Sequence, residues 1–221
     1  RAGLFNIGAE SQLAAGGFLA AIIGTWLPAG LPSVLALPVF ILAAAIGGGA
    51  VGGAAGVLKA RWGAHEVITT IMLNFIVLAL LNYLVVAHFK VFDTLHTSDI
   101  RTGALPRLSD MMAMFHGSAA NVVLFLALAA VAVAWWYLFR SRAGYELRAT
   151  GLQPQAAEYG GVNVPRVWWQ AMLISGAVAG VGGLNFVLGY KHYYEDGFAT
   201  GAGFLGIAVA LVGRNNPVGV V

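Results

Sequence analysis

The 221 residues contain no cysteine. That excludes disulfides, thiolate metal sites and thiol nucleophiles within this stretch. Charge is also scarce, at 10% of residues, where a water-soluble domain carries about 25%. So few charges cannot cover a core of this size in water, and 59% of the residues are hydrophobic with a mean hydropathy of +0.80. The solvent this implies is a bilayer. There is no G-x-x-x-x-G-K-[ST], hence no phosphate-binding loop for ATP, and no H-E-x-x-H. His65, His88, His96, His116 and His192 lack ligand spacing and read as surface or interfacial residues. Ser175 has no His at a matching depth, so the pairing needed for intramembrane proteolysis is missing. The net charge of +3 is spread over short loops, which argues against nucleic acid. The chain starts at Arg1 without a cleavable signal pattern and reads as part of a longer protein.

What is present is a series of apolar runs. A helix needs roughly 20 apolar residues to cross about 30 Å of hydrocarbon. Segments 11–27, 33–58, 67–89, 120–139, 167–188 and 204–212 approach this. The expected fold is all-α, a polytopic membrane helix bundle with about five or six segments. The first and last are short enough to be half-helices or re-entrant elements. Pro28, Gly30 and Pro32 make one turn, Lys59, Arg61 and Gly63 another. Polar loops follow at 90–119 and 189–203. Alternating spans put Arg1, Lys59, Arg61, Arg140, Arg142, Arg148, Arg166 and Arg214 on one side, and Lys90, Arg101, Arg107 and Lys191 on the other. The richer side is expected to be cytoplasmic. Asp93, Asp99, Asp110, Glu195 and Asp196 then lie outside.

Glycines recur four residues apart at Gly48/Gly52, Gly49/Gly53, Gly52/Gly56 and Gly176/Gly180. This spacing lets helix backbones approach closely in lipid. Close packing is the favoured reading, and a sliding surface the alternative.

Polar residues inside apolar runs are costly unless paired or facing a wet cavity. Asn6, Glu10 and Gln12 cluster at the start of the first segment, Asn74 and Asn82 lie in the third, and Gln170 and Asn185 lie in the fifth. For any single Asn or Gln, interhelical hydrogen bonding is the plainer reading. Asn and Gln also match the donor–acceptor edge of a nucleobase or sugar hydroxyls, and Phe5 or Phe75 could stack on a base. Asn6, Glu10, Gln12, Asn74, Phe75 and Asn185 are therefore the candidate path for a polar, uncharged solute. The plainer role for Glu10 is to satisfy orphan amides at a helix N-terminus.

The segment 140–166 is a polar island between apolar runs. Residues from Ser141 lead into a helix that displays Glu146 and Arg148. A second short helix follows, with Pro154 in its first turn and Gly160 or Gly161 at its end. Such a surface helix can fit a groove in a soluble partner; an ordinary solvated loop is the equal alternative.

Phe5-Asn-Ile-Gly-Ala-Glu-Ser-Gln12, Leu58-Lys-Ala-Arg-Trp-Gly-Ala-His-Glu-Val-Ile-Thr-Thr-Ile-Met-Leu-Asn74, Arg142-Ala-Gly-Tyr-Glu-Leu-Arg-Ala-Thr-Gly-Leu-Gln-Pro154 and Gly206-Ile-Ala-Val-Ala-Leu-Val-Gly-Arg-Asn-Asn-Pro217 together resemble the permease subunit of bacterial ABC importers for nucleosides. The chain is similar more broadly to permeases for simple sugars and branched-chain amino acids. The resemblance implies a single transmembrane permease domain over 1–221, incomplete at both ends, in the bacterial cytoplasmic (inner) membrane. It implies a second permease subunit, two cytoplasmic ABC ATPase domains and an extracytoplasmic substrate-binding protein as partners. This chain would be a non-catalytic subunit and bind no cofactor; ATP and Mg would sit on the ATPase. The 140–166 segment would be the coupling loop, with Gly144, Glu146, Arg148, Gly151 and Pro154 matching the family pattern. A sugar or branched-chain amino acid permease is the alternative. More distant is an ion-coupled secondary transporter, for which Glu10 is the candidate carboxylate.

Overall fold

Backbone polar groups in hydrocarbon must find partners within their own segment, which makes each apolar run a helix. The structure is a computed structural model. It describes residues 2–103, 105, 108, 121–195, 197 and 200–221. Arg1, Arg107, Asp110, His116 and Asp196, together with 109–120, lie outside the described residues.

The elements in chain order are α1 (Ala9–Trp26), α2 (Ser33–Trp62), α3 (Glu66–Leu84) continued by a π-helical turn (Val85–Phe89), α4 (Val123–Arg140), α5 (Arg142–Leu152), α6 (Pro154–Tyr159) and α7 (Val164–Gly182). One helical turn (Leu184–Phe186) and a second π-helical turn (Val187–Lys191) prolong α7. Next come α8 (Ala202–Val212) and a 3-10 turn (Pro217–Val220). Among the described residues, the helical stretches beginning with α2, α3, α4 and α7 are long and apolar enough to cross a membrane. The protein is a multi-pass membrane helix bundle.

Two boundaries differ from the sequence reading. Lys59 and Arg61 form the last turn of α2 rather than the turn after it. Cations are favoured there by the helix dipole, and Gly63 closes the helix at φ 66°. The fifth span runs on to Lys191, so Gly189 is helical rather than part of a loop.

The centre is a three-helix contact of α1, α2 and α7. Glycine makes it possible. A Cβ on Gly48 would collide with the Gly176 carbonyl and lie 2.7 Å from the Gly180 Cα. One on Gly16 would collide with the Gly180 backbone, and one on Gly56 would lie 3.0 Å from the Trp169 Cα. Gly49 and Gly53 have room: a Cβ at 49 would rest 3.5 Å from the Ala177 Cβ. The glycine pattern is therefore close packing along the 48–52–56 row. α1 is the most enclosed helix, with Phe18, Ile22 and a run of alanines buried. α3 and α8 flank it. α4 buries none of its residues and meets α5 and the 3-10 turn instead.

At one end, residues 97–103 and 105 lie along 188–194, joined by the Thr97 N–H to the Tyr194 carbonyl (2.8 Å), Ile100 N–H to His192 (2.8 Å) and Leu105 N–H to Leu188 (3.1 Å). Tyr194 packs edge-on to Phe18, which meets Phe89. Lys90, Arg101 and Lys191 lie at this end. Lys59, Arg148 and Arg166 gather at the other. There Lys59 pairs with Glu66 at 2.9 Å and sits over Trp168.

Gly48→Ala should lower stability by about 1–3 kcal/mol through overpacking, whereas Gly49→Ala should be close to neutral. Thermal unfolding of the two purified full-length variants checks this, and equal loss in both would contradict the packing described.

Candidate functional site

The foot of α1 carries the polar cluster. Residues 2–8 reach it from the basic end, where Gly3 (φ +72°) passes close over Gly151 and Ala2 packs with Leu147 and Val167. Gly8 admits the turn into α1, since a Cβ there would lie 2.9 Å from the Gln12 Nε2.

The amides in this cluster hold each other. Asn6 Nδ2 donates to Gln12 Oε1 (2.8 Å) and to Ser175 Oγ (2.9 Å). Asn6 Oδ1 accepts from Gln12 Nε2 (3.0 Å) and the Gly8 N–H (3.0 Å). Asn74 Oδ1 accepts the Ser11 N–H (3.0 Å), and its Nδ2 donates to the Ile7 carbonyl (2.9 Å). Thr70 accepts the Ile7 N–H at 3.2 Å and donates to the Glu66 carbonyl. The chain entering α1 is thus stitched to α3 and α7 by side chains that would otherwise be orphans in lipid.

Glu10 is different. It is 8% exposed; Oε1 accepts the Gly201 N–H at 2.9 Å, while Oε2 is buried without a hydrogen-bond partner. Gly201 is the N-cap of α8, at φ 84°. α8 has 11 residues, about 16 Å at 1.5 Å per residue and half of a roughly 30 Å hydrocarbon core. It is a half-helix whose N-terminus stands at the foot of α1. Glu10 performs the amide-capping role foreseen for it, on α8 rather than on its own helix.

The structure thus gathers Asn6, Gln12 and Asn74 around the chain entering α1, with Glu10 in the same turn but bonded to α8. Phe75 is 68% exposed. Asn185 accepts from Asn121 Nδ2 at 2.8 Å, and from 175 to 185 the helix has risen about 15 Å. Phe5 is exposed at 39%. A separate cavity at the opposite end of α1 is lined by Thr25, His96, Ser98, Asp99 and Arg101. Sequence reasoning missed Thr70 and Ser175. Thr70 and Asn74 stand four apart on one face of α3, a legible signal; Ser175 carried none.

At the basic end, α5 and α6 form the helix pair read from 140–166. Ser141 caps α5, accepting the Gly144 N–H at 3.0 Å and donating to the Tyr137 carbonyl at 2.6 Å. Gly144 is sterically required, because a Cβ would collide with the Tyr137 carbonyl and lie 2.7 Å from that of Leu138. Glu146 pairs with Arg142 at 3.1 Å, an exposed pair worth about 0.3–0.5 kcal/mol. Arg148 turns inward, its guanidinium 5.3 Å from the Phe139 ring. Gly151 meets Gly3, and Pro154 opens α6. The outward side chains are Tyr145, Leu152 and Tyr159, at 63%, 85% and 95% exposure.

The whole chain, residues 1–221, matches the model of the branched-chain amino acid transport system / permease component family. The chain belongs to this permease family. Among curated relatives it is 39% identical to a guanosine ABC transporter permease protein, NupP, of Bacillus subtilis, covering 100% of this chain and 63% of the relative. It is 33% identical to a nucleoside ABC transporter permease protein, NupB, of Lactococcus lactis, covering 100% and 62%. It is 32% identical to a glucose ABC transporter permease protein, TsgB13, of Haloferax volcanii, covering 100% and 59%. The permease chain thus spans under two thirds of the length of these relatives. No solved structure matches it significantly.

Asn74→Ala should orphan the Ser11 N–H and Ile7 carbonyl and cost about 1–3 kcal/mol, while Phe75→Ala should leave stability nearly unchanged. Denaturation of the purified full-length variants reads this out; equal behaviour would mean that the Asn74 bonds do not anchor α1.

Proposed function

We propose that this chain is the transmembrane subunit of an ATP-driven nucleoside importer in the bacterial cytoplasmic membrane. Family membership makes it a permease component; the guanosine and nucleoside permeases among its relatives favour that solute over glucose. The observation that carries the coupling assignment is the α5–α6 pair, set on a glycine-tight corner at the basic end with Tyr145, Leu152 and Tyr159 turned outward. Such a surface suits a groove on a soluble partner.

In this reading a cytoplasmic ABC ATPase binds ATP and Mg, and α5–α6 docks on it. An extracytoplasmic binding protein delivers the solute, and a second permease subunit completes the path. Closure of the ATPase moves α5–α6, and the attached spans rock to expose the path to alternate sides. This chain hydrolyses nothing itself. Tyr145, Leu152 and Tyr159 supply apolar docking area. Glu146 holds Arg142 and Arg148 anchors α5 to α4, so both act on the orientation of the docking helix.

Cells expressing the full-length gene with its ATPase and binding protein should take up labelled guanosine and uridine. Uptake should stop on ATP depletion and resist excess ribose or leucine. Competition by ribose or leucine would move the solute, and uptake driven by an ion gradient would overturn the ABC assignment. Gly144→Val should leave the protein in the membrane and reduce ATP-coupled uptake at least about tenfold by tilting α5. Wild-type uptake by that variant would contradict the docking role.

A further inference from the structure

Among the described polar side chains at the foot of α1, Glu10 keeps an unused atom. Asn6, Gln12 and Asn74 have both ends of their amides engaged. Glu10 Oε2 is buried with no hydrogen-bond partner, in a side chain only 8% exposed. A carboxylate oxygen in that state is a strong acceptor held away from water.

Its surroundings supply the complement. Oε1 of the same carboxylate holds the Gly201 N–H, at the N-cap of α8. First-turn N–H groups of a helix have no partner within the helix and carry partial positive charge. Gly201 and Gly203 put no side chain between those amides and the carboxylate. The Gly203 backbone lies directly on Glu10, where a Cβ would fall 2.5 Å from the Glu10 Cα. An unpaired acceptor and the N-terminal turn of a half-helix therefore meet at one junction, and the two suit a solute edge bearing a donor next to an acceptor.

We propose that the α1–α8 junction binds the base of a nucleoside through a lactam edge: Glu10 Oε2 accepts its ring N–H, and a first-turn amide of α8 donates to the adjacent carbonyl. This rests on the nucleoside-importer reading and adds to it the base edge and the residue that selects it. A carboxylate accepts and cannot donate. Guanine, hypoxanthine and uracil present a ring N–H beside a carbonyl. Adenine and cytosine present an unprotonated ring nitrogen that would face the carboxylate as a second acceptor. Because the Gly203 backbone lies on Glu10, binding of the base requires α8 to draw back to admit the ring.

The test is equilibrium binding of labelled guanosine to the full-length permease–ATPase complex in lipid nanodiscs, without the binding protein, alongside uptake by intact cells. Inosine should displace guanosine, and 1-methylguanosine and adenosine should do so at least about tenfold less well, each lacking the ring N–H. Glu10→Gln keeps an oxygen for the Gly201 N–H but turns the other atom into a donor, and should bind guanosine at least about tenfold more weakly. Equal displacement by inosine and 1-methylguanosine in the wild type overturns the proposal without any variant having to fold. So does unaltered guanosine binding by Glu10→Gln, or the absence of binding by a complex that imports guanosine in cells; in each case the importer reading stands. A wild type that imports no nucleoside defeats that reading and this proposal together.

Discussion

The Gly176 carbonyl occupies the space that a Cβ on Gly48 would need, and the rest of the bundle is arranged around that contact. Lipid offers no hydrophobic drive between apolar helices, so association depends on close van der Waals approach. The row at 48, 52 and 56 brings the backbone of α2 against α7, and Gly16 brings α1 against the same stretch. With these backbones in contact, the foot of α1 arrives beside Ser175, Thr70 and Asn74. Only then can their short side chains reach the entering chain. The polar cluster is a consequence of the glycine contact as much as a support for it.

Around this core hang elements with less to hold them. α8 is half a span long and meets α1 at its first turn, with the Glu10–Gly201 bond at the junction. α5 packs on the last turn of α4 through Ser141 and the Gly144 corner, and α5 and α6 both meet α7. Few buried contacts and short lengths place both at the low end of local stability, where moving parts are found. In the proposed importer the backbone-to-backbone core stays fixed, while the half-helix and the α5–α6 pair move.

Much of this is legible in the sequence where the signal is local. The α5–α6 pair follows from Ser141 as a cap, Pro154 at a first turn and Gly160–Gly161 as a stop, all within a short stretch. The length of segment 204–212 betrays the half-helix, and the glycine spacing betrays the packing row. What is not legible depends on partners far apart in the chain. Whether Asn74 is free or bound is decided by Ile7 and Ser11, more than sixty residues earlier. Glu10 finds its donor at Gly201. Asn6 and Gln12 looked as available as Glu10, because composition cannot tell which polar atoms already hold one another. Family membership, in turn, identifies a permease without saying which atoms meet the solute.

The claim that the α2–α7 contact stays fixed while the periphery moves has a direct test. No cysteine in these 221 residues competes with an introduced pair. A Cβ at Gly49 would lie 3.5 Å from that of Ala177, within the roughly 3.5–4.5 Å a disulfide needs. The measurement is ATP-dependent solute uptake by the full-length Gly49→Cys, Ala177→Cys protein before and after oxidation, with cross-linking verified. Uptake at the same rate with the bridge closed is the predicted result. Loss of uptake on oxidation and its return on reduction would show that these two helices slide on their glycines during transport, and would contradict the account.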